Sequence, residues 1–174
     1  MAKITLSQMV KQWATAAHTF EVNVADATAE LGMFATEVFQ KSFDIGGFNS
    51  KGAPKWRPLK GKPKSTHVSL LIETGALKDS ITHAQRVLPG VHEVSVFTDP
   101  KIFGREHRNK NGTCFASIHN SGGNVMATPG SRASNILQRQ FMPTDEGDQA
   151  KGDSSYMIEM YQRLHTKIFY GLPK

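Results

Sequence analysis

The chain has 174 residues, of which 39% are hydrophobic, and it carries a net charge of +6. This length fits one domain, here taken as residues 1–174, and this hydrophobic content excludes a disordered chain. No apolar run approaches the roughly 20 residues of a membrane-spanning helix, and the first residues lack the apolar segment of a signal peptide. We therefore expect no membrane contact and a protein that stays in the compartment where it is made. The single cysteine, Cys114, excludes an internal disulfide framework and a cysteine-rich zinc site.

The N-terminal region, residues 1–45, is predicted to be helical. Apolar residues recur at helical spacing over residues 5–20 and again over residues 24–43, so we expect two helices. The first helix is expected to begin at a cap formed by Thr5 or Ser7, and the second at a cap formed by Asp26 or Thr28. The second helix is expected to end at Gly46-Gly47.

A predicted loop, residues 46–66, follows the helices and is rich in glycine and proline. Trp56 lies near its centre, and its large apolar area is expected to hold the loop on the core. No acidic residue occurs between Asp44 and Glu73, whereas that interval contains Lys51, Lys55, Arg57, Lys60, Lys62 and Lys64. These cations either stay in solvent or form an assembly surface or a DNA-facing surface.

Residues 67–143 are predicted to form a β-rich core after a short helix or turn within 67–79. Residues 81–88 and 91–98 read as a hairpin around Pro89-Gly90, with Val94 and Val96 on one face. Further predicted elements are an exposed polar segment over 99–112, strands over 113–120 and 135–142, and a C-terminal helix within 153–170, over residues 155–169. The predicted class is α+β, with N-terminal helices, a small antiparallel sheet with a long basic loop, and a C-terminal helix.

The seven histidines do not occur at a spacing that is typical of a metal site. His83, His92 and His119 fall in predicted strands, where a histidine is most often a hydrogen-bonded structural residue. Cys114 and His119 are five positions apart, so on a strand they would point to opposite faces. We therefore interpret Cys114 as a buried thiol rather than a nucleophile.

A second pattern, made of His107, Asn111 and His119, invites comparison with the His-Asn-His nucleases, in which such residues hold a metal and activate water. The second histidine that normally follows the first is missing, and no helix is expected around His119. The sequence predicts no catalytic, cofactor-binding or metal-binding residue, and hence no enzyme.

Five short segments carry a resemblance to a known family. In order they are Phe43-Asp44-Ile45-Gly46-Gly47, Trp56-Arg57-Pro58-Leu59, the run from Leu71 to Ile81 with Thr74-Gly75-Ala76-Leu77 and Ser80, the run Phe115-Ala116-Ser117-Ile118-His119-Asn120-Ser121-Gly122-Gly123, and Arg139-Gln140-Phe141-Met142-Pro143. Their order and spacing over about residues 30–143 resemble the virion morphogenesis, or tail completion, family of tailed bacteriophages. The chain departs from that pattern at Phe115, where tyrosine is common, and in the insertion-like stretch 101–111.

The residues of these segments are expected to build a scaffold. Leu71 and Leu77 are expected to be buried, Gly75 to need a backbone conformation that a β-carbon hinders, and Ser80 to hydrogen-bond near a strand start. His119 and Asn120 are expected to hold the Gly122-Gly123 turn through hydrogen bonds at the end of a strand. Arg139 and Phe141 are two positions apart and are expected to lie on the same face of a strand.

The resemblance implies a tail-terminator or neck protein that acts as a ring of copies stacked on the tail tube. Its partners would be other copies, tail-tube proteins and neck or head-completion proteins, with DNA in the lumen as a further contact. It would be made in the bacterial cytoplasm and reside in the virion, without a cofactor. Two alternatives stay open: a small DNA-binding or nuclease-like phage accessory protein, and a hydrolase that uses Cys114 or His119.

Overall fold

The computed structural model of the protein describes residues 5–49, 53, 55–57, 75–103, 115–125, 134–143 and 155–172. In chain order the elements are α1 (Leu6–Ile45), α2 (Ala76–Asp79), β1 (Ile81–Leu88), β2 (Val91–Thr98), α3 (Pro100–Phe103), α4 (Phe115–Ser121), β3 (Gly123–Val125), β4 (Ser134–Ile136) and α5 (Ser155–Ile168). A long N-terminal helix, an antiparallel two-stranded sheet and a C-terminal helix confirm the predicted α+β class.

Helix α1 is a single helix of 40 residues, so the prediction of two N-terminal helices is wrong. Its start is the predicted one: the Thr5 hydroxyl accepts a hydrogen bond from the Gln8 backbone N–H, and the Gln8 side chain accepts one from the Thr5 N–H. Its end is also the predicted one, since Gly46 follows in the left-handed conformation. The helix continues through the expected break because the Asn23 side chain is engaged by α5 and does not compete for the backbone of α1.

The hairpin β1–β2 confirms the sequence prediction. Ile81 pairs with Thr98 and Leu88 pairs with Val91, with Pro89-Gly90 at the turn. The residues of β2 alternate between exposed and half-buried, and Val94 and Val96 lie on the half-buried face.

The hairpin lies close against the middle of α1. A β-carbon at Gly32 would come within 2.6 Å of the His83 ring and 2.8 Å of the Val94 side chain, so glycine permits this approach. The His83 Nδ1 atom lies 3.0 Å from the Thr36 hydroxyl, which fixes the ring over the helix.

Two predicted strands are corrected by the structure. Residues 115–121 form α4 instead of a third strand, and of the predicted fourth strand, 135–142, only residues 135 and 136 lie in a strand, β4, which pairs with β3. The described strands therefore form two sheets of two strands rather than one larger sheet. The segment after β4 makes its backbone hydrogen bonds with α4: the Arg139 N–H donates to the His119 carbonyl at 2.7 Å.

Helix α5 confirms the predicted C-terminal helix and packs against α1 in the antiparallel direction. In the second half of α5 the Arg163 guanidinium lies 4.3 Å from the centre of the Phe34 ring. At its end the Asn23 side-chain amide donates to the carbonyls of Ile168 at 3.0 Å and Tyr170 at 2.8 Å, which supplies donors to a helix C-terminus. None of the described helices has the length and hydropathy needed to cross a membrane.

Candidate functional site

Each of the five motif segments contributes at least one residue to the hydrophobic core, and the third contributes both Leu77 and Ile81. We take one residue from each segment and call these five the motif core; they are Phe43, Trp56, Leu77, Ala116 and Phe141, and each is at most 8% exposed. The chain separations between them are long, so tertiary packing alone brings them together. The sequence prediction that these segments serve as scaffold is consistent with this burial.

Phe43, at the end of α1, lies at the centre of the motif core and is completely buried. The Trp56 ring meets it edge-on, with ring centres 5.6 Å apart, and the Phe141 ring lies 5.0 Å away. The Trp56 indole N–H donates to the Gln140 carbonyl at 3.0 Å, and its backbone N–H donates to the Gly46 carbonyl at 2.7 Å. Trp56 therefore holds its segment on the core, as predicted, through one aromatic contact and two hydrogen bonds.

Ser42 is a buried polar residue that the sequence interpretation missed. Its hydroxyl accepts a hydrogen bond from the Asn49 backbone N–H at 3.1 Å and lies 3.5 Å from the carbonyls of both Val38 and Phe141. It thus links α1, the turn after α1 and the segment 139–142. The signal in the sequence was a small hydroxyl residue beside the first motif aromatic residue.

Asn120 and the backbone of residues 141 and 142 form the polar side of the motif core. The Asn120 side-chain oxygen accepts hydrogen bonds from the N–H groups of Phe141 and Met142, both at 2.9 Å. The prediction that His119 and Asn120 tie down the Gly122-Gly123 turn at the end of a strand is therefore wrong in its geometry, since Asn120 lies on α4 and binds the last motif segment. This bond pair satisfies two backbone donors that are not part of a sheet.

Gly122 lies where α4 approaches the residues after β4. Its φ is +75°, and a β-carbon there would lie 3.0 Å from the Gln138 backbone nitrogen. A side chain would therefore collide with backbone, which explains glycine at this motif position. The next residue, Gly123, begins β3.

Arg139 and Phe141 are both buried, at 5% and 1% exposed, although they do not lie on a strand as predicted. Burial lowers the pKa of the Arg139 guanidinium. Within the described part of the chain, its Nε atom has no hydrogen-bond partner. Burial, and then the positive charge of Arg139, lower the pKa of His119 below its ordinary value of 6.5, so its imidazole is neutral at pH 7.

Residues 75–80 of the third motif segment form a compact turn before the hairpin. Gly75 has φ +78°, as predicted, and the buried Ser80 hydroxyl donates to the Leu77 carbonyl at 2.8 Å, just before β1 begins. Lys78 and Asp44 form a salt bridge at 2.6 Å, which joins α2 to the end of α1. Leu77 is buried as expected.

Two cations of the predicted basic surface are described, and both are exposed: Lys55 and Arg57. Lys55 pairs through its backbone with Gly47 and donates its ammonium to the Ile45 carbonyl at the end of α1. The other four cations of this surface lie outside the described residues, namely Lys51, Lys60, Lys62 and Lys64. The same is true of the motif residues Leu59, Leu71 and Thr74.

The enzymatic alternatives depend on residues that the structure places only in part. Cys114, His107 and Asn111 lie outside the described residues, and His119 lies on α4. Among the residues that are described, no three histidine, cysteine or acidic side chains come together in a way that would hold a metal ion.

Comparison of the chain with protein-family models, with curated proteins and with solved structures finds no significant match. The resemblance to the virion morphogenesis family therefore depends on the order and content of the five segments alone.

Proposed function

We propose that this chain is a structural protein of phage or prophage virion morphogenesis, which completes the tail or forms the head–tail junction as a ring of copies. In this role it caps the tail tube in stoichiometric amounts and offers a surface to which the head is joined. The partners are other copies, tail-tube proteins and neck or head-completion proteins. No chemical step is part of the proposal.

One observation carries the proposal: residues from all five motif segments contribute to a single buried core. Phe43, Trp56 and Phe141 pack ring against ring, and Asn120 binds the backbone of the last segment. The side chains that carry the resemblance are thus engaged in fixing the fold, as expected for the scaffold of an assembly protein. A resemblance made of unrelated surface residues would have supported the proposal less.

The location and copy number of the protein in particles test this proposal. Particles from the encoding phage or induced prophage would be purified, the chain quantified by mass spectrometry, and its position marked with gold-labelled antibody. We expect a small fixed number of copies per particle at one end of the tail or at the neck. A chain that is abundant in the lysate but absent from purified particles would contradict the proposal and favour an accessory role.

Contact with DNA in the lumen of the ring is a separate part of the proposal, and the acid-free interval between Asp44 and Glu73 supports it. The variant Lys60→Glu/Lys62→Glu/Lys64→Glu reverses three of its charges. Particles that carry it should assemble but package or eject DNA poorly. Normal packaging and ejection would rule out this contact.

The second candidate, a small DNA-binding accessory protein, is favoured by the same net charge of +6. It predicts that the free protein binds duplex DNA and that affinity falls steeply as salt rises, because each phosphate contact releases counterions. Binding by the free chain together with its absence from particles would select this candidate.

A further inference from the structure

Helix α1 carries one apolar stripe along most of its length, at the alternating spacing of three and four residues that is typical of helix–helix packing. The stripe consists of Leu6, Val10, Trp13, Ala17, Phe20, Val24, Ala27, Leu31, Phe34 and Val38. A spacing of this regularity indicates that a second helix, or a row of helices, covers the whole stripe.

The second half of this stripe is covered by the chain itself. Ala27 and Val38 are buried, and Arg163 and Leu164 of α5 pack over Leu31 and Phe34. The packing of α5 against this stripe ends at the C-terminus of α5, where the Phe169 ring contacts the Phe20 ring.

The first half of the stripe is largely exposed, and its last residue, Phe20, is 42% exposed beside Phe169. We call Leu6, Val10, Trp13, Ala17 and Phe20 the overhang strip; Leu6 is 74%, Val10 60% and Trp13 71% exposed. No residue of α1 before Asn23 is buried. The overhang extends about 22 Å, at roughly 1.5 Å per residue. Exposed apolar surface of this kind marks an interaction site rather than ordinary surface.

We propose that the overhang strip is the surface by which two copies of this chain associate, helix against helix, each covering the strip of the other. The strip continues the face of α1 that already packs against a helix, so a second helix of the same kind extends an existing packing mode. Because each copy covers the same strip of the other, this contact joins two copies about a two-fold axis, and it does not depend on the proposed function.

Charge favours a second copy over a charged partner. Between Leu6 and Phe20 the sole residue of permanent charge is Lys11, and the positions that flank the stripe include Ala14 and Ala16. Small uncharged flanks let two helices approach without repulsion, whereas nucleic acid or an acidic surface would meet little complementary charge. A helix that lies in a membrane interface usually has several basic residues on its polar face, whereas residues 6–20 contain only one lysine or arginine, Lys11, so a membrane surface is a poorer fit than a second copy.

The area of the strip lies at or below the lower limit of specific protein–protein interfaces, which predicts a weak association. From typical burial per aliphatic and aromatic side chain, its residues together with Met9 offer roughly 300–600 Å² per copy. The upper part of this range reaches the lower limit of specific protein–protein interfaces, about 600 Å² per partner. The association should therefore depend on concentration in the micromolar range or weaker.

Sedimentation equilibrium of the full chain, from about 1 µM to about 1 mM, tests the proposal. The variant Val10→Gln/Trp13→Gln removes two apolar side chains from the strip while keeping good helix formers. We expect the wild type to self-associate and this variant to lose at least about tenfold in association constant. Circular dichroism verifies that the variant stays folded, since neither side chain is buried.

Two control variants make the test specific. Thr15→Gln/His18→Gln changes exposed residues on the opposite face of the overhang, and Tyr161→Gln removes an equally exposed aromatic residue from α5. Both should associate like the wild type. The proposal is overturned if the wild type stays monomeric up to about 1 mM, even if it then binds neutral vesicles. It is also overturned if Tyr161→Gln, and not the strip variant, abolishes association, because α5 would then be the interface.

Discussion

The indole nitrogen of Trp56 lies 3.0 Å from the carbonyl oxygen of Gln140 and donates a hydrogen bond to it across 84 positions of the chain. The same ring packs edge-on against Phe43. The bond therefore joins the second and the last motif segments at the end of α1, and it gives the motif core a polar contact whose contribution can be measured separately from its packing.

Two variants of Trp56 separate these contributions. Trp56→Phe keeps an aromatic ring but leaves the Gln140 carbonyl without its donor, which should cost about 1–2 kcal/mol in the free energy of unfolding. Trp56→Ala also removes the packing against Phe43 and should cost about 3–5 kcal/mol. Urea denaturation followed by circular dichroism measures both. Equal losses for the two variants would show that packing contributes little.

Asn120→Ala is expected to destabilise the protein by about 2–4 kcal/mol, because two backbone N–H groups, those of Phe141 and Met142, lose their acceptor. Gln138→Ala, which removes an exposed amide just before that segment, provides the control and should change stability by less than about 0.5 kcal/mol. Chemical denaturation of the two variants gives the comparison. Similar small changes for both would mean that Asn120 does not hold the segment.

His119 should make stability depend on pH. Its pKa in the folded protein is lowered by burial and then by Arg139. At a pH below 6.5, the ordinary pKa of histidine, His119 is protonated in the unfolded chain more readily than in the folded protein, so the folded protein loses stability as the pH falls. At higher pH the imidazole is neutral in both states, and this group does not change stability. Between about pH 7 and pH 5, the His119→Gln variant should therefore lose less stability than the wild type. Thermal denaturation across this range compares the two slopes, and parallel slopes would contradict the expectation.

Gly32→Ala should destabilise the protein even though alanine is the better helix former. The added methyl group would collide with the His83 ring and Val94, which should cost about 1–3 kcal/mol and outweigh a gain of about 1 kcal/mol in helix propensity. The double variant Gly32→Ala/His83→Ala should cost less than the two single changes added together. Strict additivity in denaturation experiments would show that the hairpin does not press on α1 at this point.

Local signals explain what the sequence predicted well. The hairpin follows from Pro89-Gly90 between two β-like runs, and the ends of α1 follow from Thr5 with Gln8 and from Gly46. Each of these depends on residues within a few positions of one another. The C-terminal helix was equally clear because its apolar residues follow one helical period.

Long-range contacts explain what the sequence did not predict. Val22-Asn23-Val24 consists of weak helix formers, yet α1 continues through it because Asn23 donates to α5, which lies 145 positions away along the chain. Residues 115–121 are short and apolar enough for a strand, but they form a helix that accepts hydrogen bonds from residues 139 and 141.

The burial of several motif residues was expected from the sequence, whereas the geometry of their contacts was not. The sequence interpretation named the motif residues as scaffold, and the five that form the motif core are buried. It did not identify Ser42, whose hydroxyl lies 3.5 Å from the Phe141 carbonyl, 99 positions away. A contact of this separation cannot be derived from residue spacing alone.

Electron microscopy of particles from the encoding phage or induced prophage, with this gene interrupted by an early stop codon, tests the assembly role most directly. We predict filled heads that lie apart from tails, or tails of uncontrolled length, and restoration of joined particles when the intact gene is supplied in trans. Which defect occurs identifies the step, since unjoined heads indicate the neck and long tails indicate the tail terminus. Normal, joined and infectious particles without this protein would contradict the account.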